Sequence, residues 1–136
     1  MRIVCEQTLD RFRGPGLCEH CRKQVAYREP HHLLARGHNA GRRLDVSLNL
    51  MALGDWQSCA CHAKFHDGNL PRCDLIACLS QREGLVFSEQ EWHNAMSLFV
   101  RAPKNPDRVW FLKEVLDWTS GERLLVIRTL REIGIA

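Results

Sequence analysis

The sequence predicts an α+β fold in which a small strand and helix unit precedes a group of helices. Two segments, residues 24–34 and 46–53, have the composition of strands, and a polar stretch rich in glycine and arginine separates them. This pattern is typical of two short strands joined by a long loop. Cysteine pairs precede and follow the two segments. Beyond residue 70, apolar residues recur at helical spacing after recognisable capping motifs.

Length and composition are those of one compact domain. The chain has 136 residues, of which 45% are hydrophobic, and we expect a core over residues 1–70 and a helical extension over residues 71–136. The amino-terminal segment lacks the apolar run of a signal peptide, and no stretch approaches the roughly 20 apolar residues of a membrane span. These features predict a cytoplasmic protein without a membrane partner.

The charge distribution favours a phosphate-bearing partner. The net charge of +3 is modest, but basic residues crowd the amino-terminal half, whereas several acidic residues lie in the later helical part. Because phosphate backbones are bound by clustered lysine and arginine, we expect a nucleic acid near the amino-terminal half.

The first half can be divided into elements by its breakers and its apolar runs. Residues 5–13 have the pattern of a short polar helix, which Gly14-Pro15-Gly16 must end. Cys18 and Cys21 follow in a short turn, which we call the cysteine knuckle. Residues 24–34 are expected to be extended, with Pro30 restricting them to a sheet edge or a strand end, and residues 46–53 form the second predicted strand.

The second half is predicted to be helical. Residues 59–66 and 72–80 have helical spacing. Ser88-x-x-Glu91 and Thr119-x-x-Glu122 are capping boxes, which begin helices. Asn105-Pro106 is expected to start another helix, with asparagine as the N-cap and proline at the first helical position.

The cysteines predict a structural zinc site. In a reducing compartment, the spacing Cys18-x-x-Cys21 favours metal ligation over a disulfide. Cys59 and Cys61 can complete the site if the backbone turns sharply between them, although Cys73 could replace Cys59 as the fourth ligand. The alternative is a set of unrelated buried thiols. A structural zinc contributes on the order of 10 kcal/mol to a small fold.

The histidines predict a second metal site. Adjacent His31 and His32 at a strand end cannot both point the same way, and His62 and His66, four residues apart in a helix, share a face. We expect His31 and His62 to hold one cation, with His66 as a candidate third ligand, while His32 stays off the metal as a general base, since imidazole titrates near neutral pH. The alternative is a structural or surface set of histidines.

The histidine pair, Asn49 and the Cys-His-x-x-x-His motif at 61–66 resemble the HNH endonuclease family, which has a ββα-metal fold, and the cysteine pairs resemble its zinc-bound branch. The resemblance implies that His31 and His62 bind the metal, that His32 activates water, and that Asn49 holds the loop and strand that orient this base. It also implies that His66 is a third ligand or contacts phosphate. The chain departs from the family at the later cysteine pair, which is separated by one residue instead of two and follows an inserted stretch, residues 54–57.

The resemblance further implies a metal-dependent endonuclease that hydrolyses DNA, by nicking or double-strand cleavage, with one divalent cation (Mg²⁺, Mn²⁺, Ni²⁺ or Zn²⁺). Arg36, Arg42 and Arg43 are expected to bind flanking phosphates without reading sequence, unless they form only a solvated loop face. Asp45 is interpreted as a turn or strand-entry residue. The rival function is a non-catalytic zinc-knuckle module that binds nucleic acid or protein, and a third is a small hydrolase with another substrate. Similar proteins suggest a phage or mobile-element setting, with a homodimer or a packaging or recombination partner.

Overall fold

The computed structural model describes residues 1–34 and 43–135, which form an α+β fold. Within these residues lie three strands: β1 (Gly14–Leu17), β2 (Gln24–His32) and β3 (Leu50–Gly54). The helices are α1 (Glu6–Asp10), α2 (Cys61–His66), α3 (Arg72–Glu83), α4 (Glu89–Arg101), α5 (Arg108–Glu114) and α6 (Ser120–Glu132), and a 3₁₀ turn over Ser47–Asn49 leads into β3. None of the helices in these ranges combines the length and the apolar character needed to cross a membrane.

The strands form an antiparallel sheet in the order β1-β2-β3. In the register between β2 and β3, His31 faces Met51 and His32 faces Leu50. Strand β1 pairs with β2 only as far as Arg28. Pro30 therefore lies in the part of β2 that pairs with β3 alone, where the missing backbone N–H of proline costs no ladder hydrogen bond.

Strand β1 corrects the expectation of two strands, because α1 already ends at Asp10 and Gly14-Pro15-Gly16 begins a strand. Gly14 has a φ of +79°, a conformation that glycine adopts readily. The side chain of Arg28 on β2 holds this segment, donating from Nε to the carbonyl of Gly14 at 3.2 Å and from Nη2 to the carbonyl of Arg13 at 3.0 Å. The sequence interpretation treated these residues only as breakers and so missed the strand.

The sheet separates a small apolar cluster from the main core. On one side, Leu9 and Phe12 pack against Leu50 and Ala52 of β3. The main core contains sheet and knuckle residues together with buried residues of α3, α4, α5 and α6. Trp92 on α4 is fully buried in this core, and its indole Nε1 donates to the carbonyl of Leu48 at 2.7 Å. The helices of the second half therefore pack directly on the first half.

Two of the three capping residues predicted for helices of the second half are confirmed. Ser88 and Thr119 form capping boxes at α4 and α6, with both reciprocal hydrogen bonds present. The prediction that Asn105 caps a helix is wrong. Asp107 caps α5 instead, accepting from the backbone N–H of Trp110 at 2.9 Å, whereas Asn105 has a left-handed φ of +55°.

Candidate functional site

Four cysteines meet at one place between the knuckle and the start of α2. The sulfur atoms of Cys18, Cys21, Cys59 and Cys61 all lie within 4.8 Å of one another. A tetrahedral zinc site with bonds of about 2.3 Å requires sulfur atoms roughly 3.8 Å apart, so the four side chains can hold a metal ion. Cys59 is the fourth member, as expected, whereas Cys73 is exposed on α3 and lies outside the cluster.

Local backbone geometry allows two cysteines separated by one residue to face the same point. Ala60 has a left-handed φ of +59°, which makes the sharp turn before α2. Gly54, at the end of β3, leaves room for Cys59, because a Cβ atom at this position would overlap the Cys59 sulfur. The turn at Ala60 and the absence of a side chain at Gly54 therefore allow Cys59 and Cys61 to reach the same cluster.

Two thiols of the cysteine cluster have pKa values shifted in opposite directions. Burial raises the pKa of the Cys18 thiol, but hydrogen bonds from the backbone of Cys21, Gly54 and His20 outweigh this effect and lower the pKa to about 7. Burial and the neighbouring cysteines raise the pKa of Cys61. The Cys18 thiolate therefore forms more readily than that of an ordinary cysteine and the Cys61 thiolate less readily, and a bound cation would favour the thiolate form of both.

Three histidines form a second cluster between β2 and α2. Ligand nitrogens of His31, His62 and His66 lie within 4.8 Å of one another, and the Nε2 atoms of His62 and His66 are 3.0 Å apart. His31 is 3% exposed, and its Nε2 has no hydrogen-bond partner among the described residues. Burial, followed by the neighbouring histidines, lowers the pKa of His31 to about 3. His31 is therefore neutral at pH 7, which is the form that binds metals.

Glu29 contacts this histidine cluster, and the sequence interpretation missed it. Its Oε2 lies 2.5 Å from Nδ1 of His62. Glu29 precedes His31 by two residues on β2, and residues two apart in a strand share a face. This spacing is the signal that could have identified Glu29 from the sequence.

His32 lines the same cleft but does not belong to the three-histidine cluster. Its Nε2 lies 2.8 Å from Oδ1 of Asp45. The Asp45 carboxylate is buried and also accepts hydrogen bonds from Nε of Arg43, at 2.9 and 3.0 Å, and from the backbone N–H of Cys5, at 2.8 Å. Burial raises the pKa of Asp45, but the hydrogen bonds from Arg43 and His32 outweigh it and hold the pKa below its usual value.

The role of Asp45 differs from the turn or strand-entry role expected from the sequence. Its side chain binds the ring of His32, 13 residues earlier in the chain. The sequence signal for such a role is the position of Asp45 between two apolar residues, Leu44 and Val46, which are both fully buried in the structure. An acidic residue enclosed by core residues must have polar partners.

Asn49 is fully buried and connects two distant parts of the backbone. Its Oδ1 accepts from the backbone N–H of Leu34 at 2.7 Å, and its Nδ2 donates to the carbonyl of Leu44 at 3.0 Å. These bonds fix the chain just after the histidine pair to the chain just before β3.

The histidines surround a cleft of about 270 Å³. Its walls are Pro30, His31, His32, Leu33, His62, Phe65 and His66. Since a water molecule occupies roughly 30 Å³ in the liquid, the cleft has room for a cation, a phosphate group and water.

The predicted phosphate-binding arginines are described only in part. Arg36 and Arg42 lie outside the described residues. The guanidinium of Arg43 is paired within the protein, with Asp45 and, at 3.3 Å, with Glu6. A phosphate contact by these arginines stays a prediction.

In comparisons with known proteins, no family model, no curated protein and no solved structure matches this chain.

Proposed function

We propose that this protein is a metal-dependent endonuclease of the HNH type, which hydrolyses DNA phosphodiester bonds. One observation carries the proposal: ligand nitrogens of His31, His62 and His66 converge in a cleft that also contains His32, held by Asp45. This arrangement combines a cation site with a separate acid–base group, which are the two functions that metal-assisted hydrolysis requires.

The roles of the side chains follow from their positions. A divalent cation held by His31, His62 and His66 supplies Lewis-acid stabilisation of the charge that develops on the phosphate. His32 takes the proton of the attacking water, while the buried carboxylate of Asp45 fixes the orientation of its ring and stabilises the protonated form. Asn49 holds the backbone on both sides of this pair. The water oxygen forms a bond to phosphorus as the bond between phosphorus and the 3′ oxygen breaks, and the departing 3′ oxygen takes a proton from solvent, so the products are a 5′ phosphate and a 3′ hydroxyl.

The cysteine cluster has a structural role in this proposal. Cys61 and His62 are consecutive residues at the start of α2, so an ion bound by the four cysteines fixes the helix that carries two histidine ligands. We propose that this ion is zinc, because four thiolates in tetrahedral array are typical of structural zinc sites.

Cleavage of supercoiled plasmid tests the proposal. Wild-type protein is incubated with plasmid in the presence of Mg²⁺, Mn²⁺, Ni²⁺ or Zn²⁺, beside His32→Gln and His31→Gln. His93→Gln is the matched control, because His93 lies on α4 in a different surface pocket. Loss of a general base is expected to slow cleavage by about 10²–10⁴-fold, and His93→Gln should cleave at the wild-type rate.

The outcome also separates the proposal from a non-catalytic zinc-knuckle module. DNA binding without cleavage in any of the four metals would support the module and contradict the nuclease. Equal cleavage by wild-type protein and His32→Gln would eliminate His32 as the base.

A further inference from the structure

We propose that Glu29 is a positioning residue that holds His62 in the tautomer able to bind the cation and thereby sets the metal affinity of the three-histidine site. The inference rests on the metal site of the proposed function. It concerns a residue that is itself outside the ligand cluster.

The two ring nitrogens of His62 face two different partners. Nδ1 lies 2.5 Å from the Glu29 carboxylate, and Nε2 lies 3.0 Å from Nε2 of His66, inside the ligand cluster. A neutral imidazole carries its proton on one nitrogen only, and an ionised carboxylate can only accept. Glu29 therefore keeps the proton on Nδ1 and leaves the Nε2 lone pair for the cation.

Position on the sheet explains why Glu29 can reach His62. Glu29 and His31 are two residues apart on β2, and β3 holds this part of the strand in register through pairing with Leu53 and Met51. One face of β2 thus presents His31 and, two residues earlier, the Glu29 carboxylate that contacts His62 on α2.

Among the described residues, His62 is the one member of the cluster that has a carboxylate hydrogen bond. His31 is buried with an unpartnered Nε2, and His66 contacts His62. An imidazole binds a metal in its uncharged form, so histidine ligands alone bring no negative charge to a cation. Glu29 therefore brings a negative charge into direct contact with the ligand set, which increases the basicity of His62 and favours a divalent cation.

Metal binding measured without DNA tests this inference. Ni²⁺ is titrated calorimetrically into protein purified with its cysteine-bound metal, and that metal is quantified before and after. Outer-sphere carboxylates typically change metal affinity by 10–100-fold, so Glu29→Ala should weaken Ni²⁺ binding by about that factor. Glu29→Gln keeps an acceptor oxygen but loses the charge, so its affinity should fall between those of wild-type protein and Glu29→Ala.

The matched control is Glu89→Ala. The Glu89 side chain is 38% exposed, as is that of Glu29, and it pairs with Arg72 away from the histidines. Its Ni²⁺ affinity should equal that of the wild type. In addition, nitrogen NMR of the metal-free protein should show His62 protonated on Nδ1 in the wild type and a mixture of tautomers in Glu29→Ala, a change that a purely structural role would not produce.

Two results would overturn the inference. The first is that Glu29→Ala binds Ni²⁺ with the same affinity as the wild-type protein, while His62→Ala does not bind Ni²⁺. The other is absence of Ni²⁺ binding at the histidines of the wild-type protein, which would remove the metal site as well. If Glu29→Ala weakens Ni²⁺ binding and the wild-type protein still cleaves no DNA, the inference stands and the proposed nuclease function fails.

Discussion

Replacing Asp45 by asparagine should reduce both stability and cleavage. The carboxylate accepts from His32, Arg43 and the backbone of Cys5. Asparagine has the same shape, but it has a single acceptor oxygen and its amide group would face one of these donors. The substitution therefore removes at least one charge-assisted hydrogen bond and leaves the Arg43 guanidinium with Glu6 as its remaining ion-pair partner among the described residues.

The expected magnitude follows from the number and kind of these bonds. A hydrogen bond to a charged group contributes about 1.5–3 kcal/mol, and disruption of a buried charge pair can cost more. We expect the free energy of unfolding to fall by about 2–4 kcal/mol. Cleavage should slow by about 10²-fold, because His32 loses the group that orients its ring.

The pH dependence gives an independent signature. The pKa of Asp45 is lower in the folded protein than its usual value, which is about 3.9 in an unfolded chain. The carboxylate therefore stabilises the fold above that pH, and this contribution is lost as the pH falls through the folded pKa. Wild-type stability should decline more steeply on acidification below pH 5 than the stability of Asp45→Asn.

Urea unfolding at pH 7 and at several lower pH values measures these effects, with plasmid cleavage measured in parallel. Asp10→Asn is the control, because Asp10 is exposed and pairs with Arg13 on the surface, and its urea midpoint should not change. The reasoning is refuted if Asp45→Asn matches this control in urea midpoint and in cleavage rate.

Two further substitutions test the supports of the site. Gly54→Ala places a Cβ atom against the Cys59 sulfur. The overpacking costs about 1–3 kcal/mol and should weaken zinc retention when the protein competes with a chelator. Unchanged zinc retention would contradict the close approach of the two residues. Arg82→Met removes a guanidinium whose Nη1 lies 3.0 Å from both carboxylate oxygens of Glu19 and also contacts a β3 carbonyl. The free energy of unfolding in urea should fall by about 3 kcal/mol, with Arg101→Met, at an exposed position, as the control. Equal urea midpoints for the two variants would show that the Arg82–Glu19 pair does not stabilise β3.

Features determined by neighbouring residues could be predicted from the sequence. The capping boxes at Ser88 and Thr119 depend on a side chain and a backbone group three residues apart, so the local pattern contains the whole interaction. The same reasoning failed at Asn105, since a second capping residue, Asp107, lies two positions further on. Local sequence does not decide between two adequate caps.

Features that depend on tertiary contacts were harder to predict. Strand β1 is held by backbone pairing with β2 and by the Arg28 side chain, which donates to the carbonyls of Arg13 and Gly14, whereas the sequence of β1 contains only the signals of a breaker. Asp45 and Glu29 contact histidines 13 and 33 residues away along the chain. The residue types indicated the two clusters, whereas the histidine that each carboxylate contacts depends on how β2, β3 and α2 pack together.

The first turn of α2 links the two clusters through the consecutive residues Cys61 and His62. If the sulfur cluster binds zinc as proposed, removal of that ion would loosen the turn that carries His62, so a single bound metal would support the geometry of both clusters. If the proposed nuclease function also holds, protein stripped of zinc would cleave DNA more slowly than zinc-loaded protein.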